Sequence, residues 1–172
     1  MFADVTYSAL FDGNGFIGVR NHWNYDQIYS TAMIASADKD GDGKLSPTES
    51  VWLMHAILDP LASSNYYNYV VAGSDFLDAG GIKDFKVNIK DGRIYLDFVV
   101  TFAVHATGDY SVLVIVVDDL TNYIQMTKDM DNCDAEAPDE MDVEFFSDGL
   151  DGLTLFNGVR SDVQGLYVRF KK

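Results

Sequence analysis

Two alternating runs flank Asp91-Gly92: Phe85, Val87 and Ile89 before it, then Ile94, Leu96, Phe98, Val100 and Phe102 after it. Period-two alternation marks a half-buried strand, and Asp-Gly between two such runs is the strongest short hairpin signal. A two-residue turn fixes the register, so Ile89 should face Ile94, Val87 should face Leu96 and Phe85 should face Phe98. On the opposite face Lys86 would lie against Asp97, a favourable cross-strand charge pair. A second hairpin opens the chain. Val5, Tyr7, Ala9 and Phe11 alternate, Asp12-Gly13-Asn14-Gly15 turns, and Phe16 to Trp23 returns.

Between these hairpins the period changes. Ile28, Met33, Ile34 and Ala37 fall at helical spacing within 25–37. After an Asp/Gly-rich loop, Ser46 is a good N-cap, Pro47 fits the first helical position and Glu49 completes a capping box. Leu53, Met54 and Ile57 form the stripe of this second helix, which Pro60 should kink or end. Tyr66 to Ala72, Leu153 to Phe156 and Leu166 to Phe170 read as short strands. Tyr110 to Val117 is apolar on both faces, as in a central strand covered on both sides. The segment 118–151 reads as acidic and irregular. The expected fold is α+β: one domain over 1–172, a mainly antiparallel sheet or sandwich with a helix–loop–helix inserted at 25–60.

The 172 residues suit one domain and can bury a sizeable core without disulfide staples. Their 27 acidic and 12 basic side chains leave a formal charge of −15. Such a field repels phosphate backbones and anionic lipid and attracts cations, which argues against nucleic-acid and membrane-surface binding. The acids are 23 Asp and only 4 Glu, and short carboxylates suit turns and calcium loops. The longest fully apolar run, Val112 to Val117, is far too short for a membrane span. Met1 to Val5 has neither a basic nor an apolar leader segment, so no signal peptide is expected in these residues. The lone Cys133 says nothing about redox compartment.

The strongest motif is Asp38-Lys39-Asp40-Gly41-Asp42-Gly43-Lys44-Leu45-Ser46-Pro47-Thr48-Glu49, which fits the twelve-residue EF-hand calcium loop at every diagnostic position. Asp38, Asp40 and Asp42 occupy positions one, three and five. Gly43 stands at the sharp turn, Lys44 offers its backbone carbonyl, Leu45 points inward, and Ser46 can bind through water. Glu49, at twelve, is long enough to clamp an ion with both oxygens. Calcium takes about 6–8 oxygens in a flexible shell, and alternate loop residues point inward, so acids at odd positions converge. The expected metal ligands are therefore Asp38, Asp40, Asp42, Lys44, Ser46 and Glu49, with Ca²⁺ preferred over Mg²⁺. Asp129 to Glu140 imitates a second loop, but Asp134 replaces the glycine, Glu136 replaces the apolar residue and Pro138 would break an exiting helix. It reads as surface, as does the turn Asp148-Gly149-Leu150-Asp151-Gly152. His22, His55 and His105 have no zinc-type spacing. No nucleophile elbow, P-loop or dinucleotide fingerprint is present.

The order of motifs carries a resemblance. Phe2-Ala3-Asp4, then Asn21 to Ser30 (NHWNYDQIYS), then Asp38 to Ser46, then Tyr66-Tyr67-Asn68-Tyr69-Val70 resembles a bacterial family of unknown function. Its members are described as periplasmic components of uncharacterised ABC transport systems. The similarity covers about residues 2–125. It implies an exported, periplasmic protein linked to divalent-metal or solute transport, with a membrane transporter as partner. Family members carry a signal peptide and a His-Pro-His motif just before the first strand. Met1 stands where that motif would end, so no His-Pro-His site carries over. The functional expectation is a non-enzymatic, calcium-binding exported protein in which the ion orders the helix–loop–helix on a β scaffold. The alternative is a hydrolase using a carboxylate pair that the sequence does not single out.

Overall fold

The computed structural model describes residues 1–172. Eleven strands form two sheets around a shared core, with two helices at one end. The elements are β1 (Phe2–Asp12), β2 (Gly15–Tyr25), α1 (Gln27–Ala37), α2 (Pro47–Leu58), β3 (Asn68–Ala72), β4 (Asp75–Phe76), β5 (Gly81–Lys90), β6 (Arg93–His105), β7 (Ser111–Val117), β8 (Gln125–Lys128), β9 (Asp134–Glu136), β10 (Asp142–Gly149) and β11 (Gln164–Lys171). The first sheet runs β5-β6-β2-β1-β8, with β9 also on β1; the second runs β10-β11-β7-β3-β4.

The alternation in β1 and β2 has its cause in this layering. Val5, Tyr7, Ala9, Val19, Trp23 and Tyr25 point into the core and are buried. They meet Val70, Leu113, Ile115, Val117, Leu166, Val168 and Phe170 from the second sheet in one apolar cluster. Polar side chains join the layers as well. Asn21 Nδ2 donates to Asn68 Oδ1 at 2.9 Å, and Trp23 Nε1 donates to Asn21 Oδ1 at 3.1 Å, so a buried amide pair bridges β2 and β3 with its oxygens satisfied.

The antiparallel hairpins follow the sequence closely. Ile89 faces Ile94, Val87 faces Leu96 and Lys86 faces Asp97. The expected Phe85–Phe98 pair does not form. The register slips between Lys83 and Lys86, where Asp84 takes a left-handed φ of 54°, so Lys83 pairs with Val99, Lys86 with Asp97, and Phe98 between them has no paired residue on β5. β7 is covered on both faces. Leu113, Ile115 and Val117 enter the main core, while Val114 and Val116 pack beneath Phe156 and Val163 of the loop that follows β10.

Other boundaries differ from expectation. The strand read from Tyr66 starts at Asn68, because Asn65, Tyr66 and Tyr67 all adopt positive φ and turn the chain out of the 3₁₀ segment before it. Leu153 to Phe156 is not a strand; Thr154–Phe156 is a 3₁₀ turn that plugs Phe156 onto the second sheet. The partner of β11 is β10, inside the acidic segment expected to be irregular. β10 has mostly exposed side chains on both faces, so its sequence lacks the one-sided pattern that marks a strand. β8 and β9 pair with β1 in parallel, which makes the first sheet mixed.

Candidate metal centre

Asp26 starts α1. Its Oδ1 accepts from the Tyr29 amide at 2.8 Å, and its Oδ2 accepts from the Phe2 amide at 2.7 Å, tying the helix to the first strand. Ser30 faces the sheet: its Oγ accepts from the Ile94 amide at 3.0 Å. Ile28, expected on the apolar stripe, is 86% exposed, because the helix rests on Ser30 and Ala37 instead. α2 behaves as read. Ser46 and Glu49 form the reciprocal capping box, Pro47 is at the first position, and Leu53, Ile57 and Leu58 are buried. The helix ends at Leu58, and Pro60 falls in the 3₁₀ segment 59–67.

Between the helices the chain wraps around its own carboxylates. Asp38 Oδ1 and Asp40 Oδ1 both accept from the Asp42 amide at 3.1 Å, Asp38 Oδ2 accepts from Gly43 N at 2.9 Å, and Asp42 Oδ1 accepts from Lys44 N at 2.8 Å. Gly41 and Gly43 have φ of 70° and 78°, a region costly for a residue with a Cβ, so the sharp turns need glycine there. Asp38, Asp40 and Asp42 converge, each offering an oxygen within 4.8 Å of the others. Leu45 packs against the main core as expected.

Glu49 closes the loop at its far end. Oε1 accepts from Lys39 N at 2.7 Å and Oε2 accepts from Ser46 N at 2.8 Å, so one side chain at 7% exposure spans both ends of the loop. The Ser46 and Lys39 amides hold its carboxyl below the ordinary value. Asp40 moves the other way. The Asp42 amide favours its charged form, but partial desolvation, the Asp38 carboxyl and the Asp42 and Glu49 charges together raise its pKa. Lys39 Nζ sits 4.9 Å from the Trp52 ring centre, a cation–π contact from the loop onto α2.

Of the six expected ligands, three aspartates therefore come together through their side chains. Glu49 is near enough to repel Asp40 while bonded to backbone amides. Ser46 Oγ is occupied as the helix cap, accepting from Glu49 N at 3.2 Å, and Lys44 contributes its amide to Asp42. The pseudo-loop 129–140 is split between a 3₁₀ turn and β9. His55 is exposed beside Asp59, His105 is exposed at the end of β6, and His22 bonds to Asp97 on the outer face of the first sheet. That outer face holds a second concavity, which motif reading missed. The outward positions of β1, β2 and β6, once in register, were the signal for it.

These features define a two-sheet β protein carrying an acidic, helix-bounded loop. The chain belongs to the family described as "Protein of unknown function (DUF1007)", whose model matches residues 1–146. No curated protein and no solved structure matches it. No helix is long and apolar enough to cross a membrane.

Proposed function

We propose that this is a non-enzymatic calcium-binding protein in which residues 38–49, an EF-hand-type loop, take up the ion and clasp α1 and α2 onto the β scaffold. The observation that carries the reading is the convergence of Asp38, Asp40 and Asp42 at the open side of a loop whose two ends Glu49 already joins. All donors are oxygen, most are anionic, and the backbone turns on glycines; that is donor chemistry for a hard dication of calcium's size. Glu49 can rotate from the amides to the ion and give two oxygens at once. Like charges held this close favour any cation that neutralises them, and the −15 field raises the local cation concentration.

A lone loop on a rigid sheet belongs with extracellular-type sites, which bind at about 10⁻⁴–10⁻³ M. Such a site fills only where calcium is plentiful, which supports an exported, periplasmic location and an accessory role beside a divalent-metal or solute transporter. The test is a thermal melt in calcium and in EGTA. At a hundredfold excess over Kd the ion adds about 2.7 kcal/mol, or roughly 5–10 °C for a chain this long. An unchanged midpoint overturns the clasp.

A further inference from the structure

Both sheets end in open edges, and the edges differ. The first sheet ends on one side in β5, which carries Lys83, Lys86 and Lys90 and slips register at Asp84. On the other side it ends in β8 and β9, of four and three residues. The second sheet ends in β4, of two residues, and in β10. Lysines, register breaks and shortness are ordinary guards that keep an edge from pairing with another chain. β10 has none of these three. It is eight residues long, holds neither lysine nor proline, and pairs with β11 from Asp142 to Gly149 without a register shift. None of the turn and loop backbone bonds reaches residues 142–149, so its far side offers free N–H and C=O groups.

Two phenylalanines stand on this strand. Phe145 is on the core side, opposite Val168, and Val143 beside it is opposite Phe170. Val168 and Phe170 are fully buried while Phe145 is 44% exposed, so the apolar layer runs out at the edge without closing. Phe146 points the other way, 60% exposed and stacked on Tyr167 with ring centres 5.1 Å apart. Around them the charge is of one sign. Residues 129–159 contain ten acidic side chains and no basic one. Only Glu136 and Glu144 among them reach an arginine, Arg20 at 3.4 Å and Arg169 at 2.5 Å. Asp142, Glu144 and Asp148 share the outer face of β10 with Phe146. Asp134 and Glu136 belong to β9, which touches β10.

We propose that β10 is a docking edge for an extended basic segment of another protein, which adds to the second sheet as a sixth strand. Strand addition satisfies the free backbone groups of the edge. Aliphatic side chains on one face of the guest continue the core layer beside Val143 and Phe145. Lysines or arginines on its other face meet Asp142, Glu144 and Asp148, and a cation over Phe146 gains from the ring. Charge selects the occupant. A second copy of this chain would set one acidic edge against another, whereas a basic strand finds its complement. The acids thus replace lysine as the guard, closing the edge to like-charged strands and leaving it open to cationic ones.

Amide chemical-shift mapping of the full chain tests this, in calcium and again in EGTA. The probe is an acetylated, amidated heptapeptide of alternating lysine and valine. The expected result is a Kd of about 10⁻⁵–10⁻⁴ M at low salt, with shifts centred on β10 and β11, weakening severalfold at physiological salt. Strand pairing uses alternate N–H groups of the guest, so N-methylation of every valine, or else of every lysine, should weaken binding about tenfold or more. Phe145→Lys installs the missing guard at an exposed position and should weaken binding as much; the N-methylated peptides make the same test on the unaltered protein. The proposal is overturned if β10 and β11 do not shift, if the peptide with glutamate for lysine binds as tightly, or if both N-methylated forms bind like the parent peptide. It is overturned too if the chain alone sediments as a dimer that Phe145→Lys returns to monomer, since the occupant is then a second copy. β10 shares no residue with 38–49, so a failed calcium melt leaves the result readable.

Discussion

Glu49 has two roles that one substitution can separate. Its carboxylate bridges Lys39 N and Ser46 N, and in the calcium site proposed above both of its oxygens would clamp the ion. Glu49→Gln keeps the length and part of the capping box but loses the charge. We expect calcium affinity by calorimetry to fall about tenfold or more, while far-ultraviolet dichroism stays near the parent. Cys133 is a residue with no such role. Burial pushes its thiol up to about 11, against an opposing hydrogen bond with the Tyr7 backbone and with smaller help from the Asp129 and Asp134 charges. It should resist iodoacetamide at neutral pH in the native protein and react only after denaturation; mass spectrometry decides. Asp118 is the opposite case, a buried carboxylate that must be paired. Lys128 Nζ lies 2.9 Å from it and Arg160 3.6 Å. Lys128→Met leaves that charge with the longer contact alone, and should cost about 3–5 kcal/mol in urea unfolding.

The elements carry their own predictions. α1 is held at its start by Asp26, whose pKa is lowered by the Tyr29 amide and then by the Phe2 amide. A folded-state pKa below the unfolded one means stability that is present above the ordinary carboxylate range and lost as pH falls through the folded value. Asp26→Ala should therefore cost about 1 kcal/mol at neutral pH, and the gap from the parent should close in strong acid. Denaturant titrations across pH give both numbers. The elements also show where sequence patterns carry structure. β1, β2, β6 and α2 were legible because one face of each meets the core, so period and caps spoke clearly. The register of β5 on β6 was legible from the turn back to Lys86 and failed at Phe85, beside Asp84, whose positive φ no alternation announces. β10 was hidden because Phe145 and Phe146 are exposed, so its apolar residues mark no interior. The pairing of β8 and β9 with β1 is parallel and distant in sequence, and no local turn encodes it. The acidic loop lay open to inspection because its ligand spacing is local; the cavity did not, since its residues come from five strands.

At the scale of the molecule, the second sheet needs the loop after β10 as a roof. Phe156 is buried at 4% exposure over Val114 and Val116, and touches Phe76 with ring centres 5.4 Å apart. Phe156→Ala should cost about 3 kcal/mol or more and uncover an apolar sheet face, seen as a lower melting midpoint and increased dye binding. That roof and the main core together explain why a chain so heavily acidic still packs. The negative charges stay mostly on exposed turns and outward strand faces, and the few that go inside, Asp118 and Asp119 among them, are matched by Lys128 or by the Thr121 and Ile124 amides.

β1 is bordered on one side by its hairpin partner and on the other by two segments that arrive more than a hundred positions later. A nascent polypeptide emerging from the ribosome would thus hold its first strand half-finished for most of synthesis, with an uncovered edge until Gln125 to Glu136 are made. Folding that must wait for the late part of the chain is slow by construction, and until then the open edge of the first strand is free to pair with a neighbouring chain.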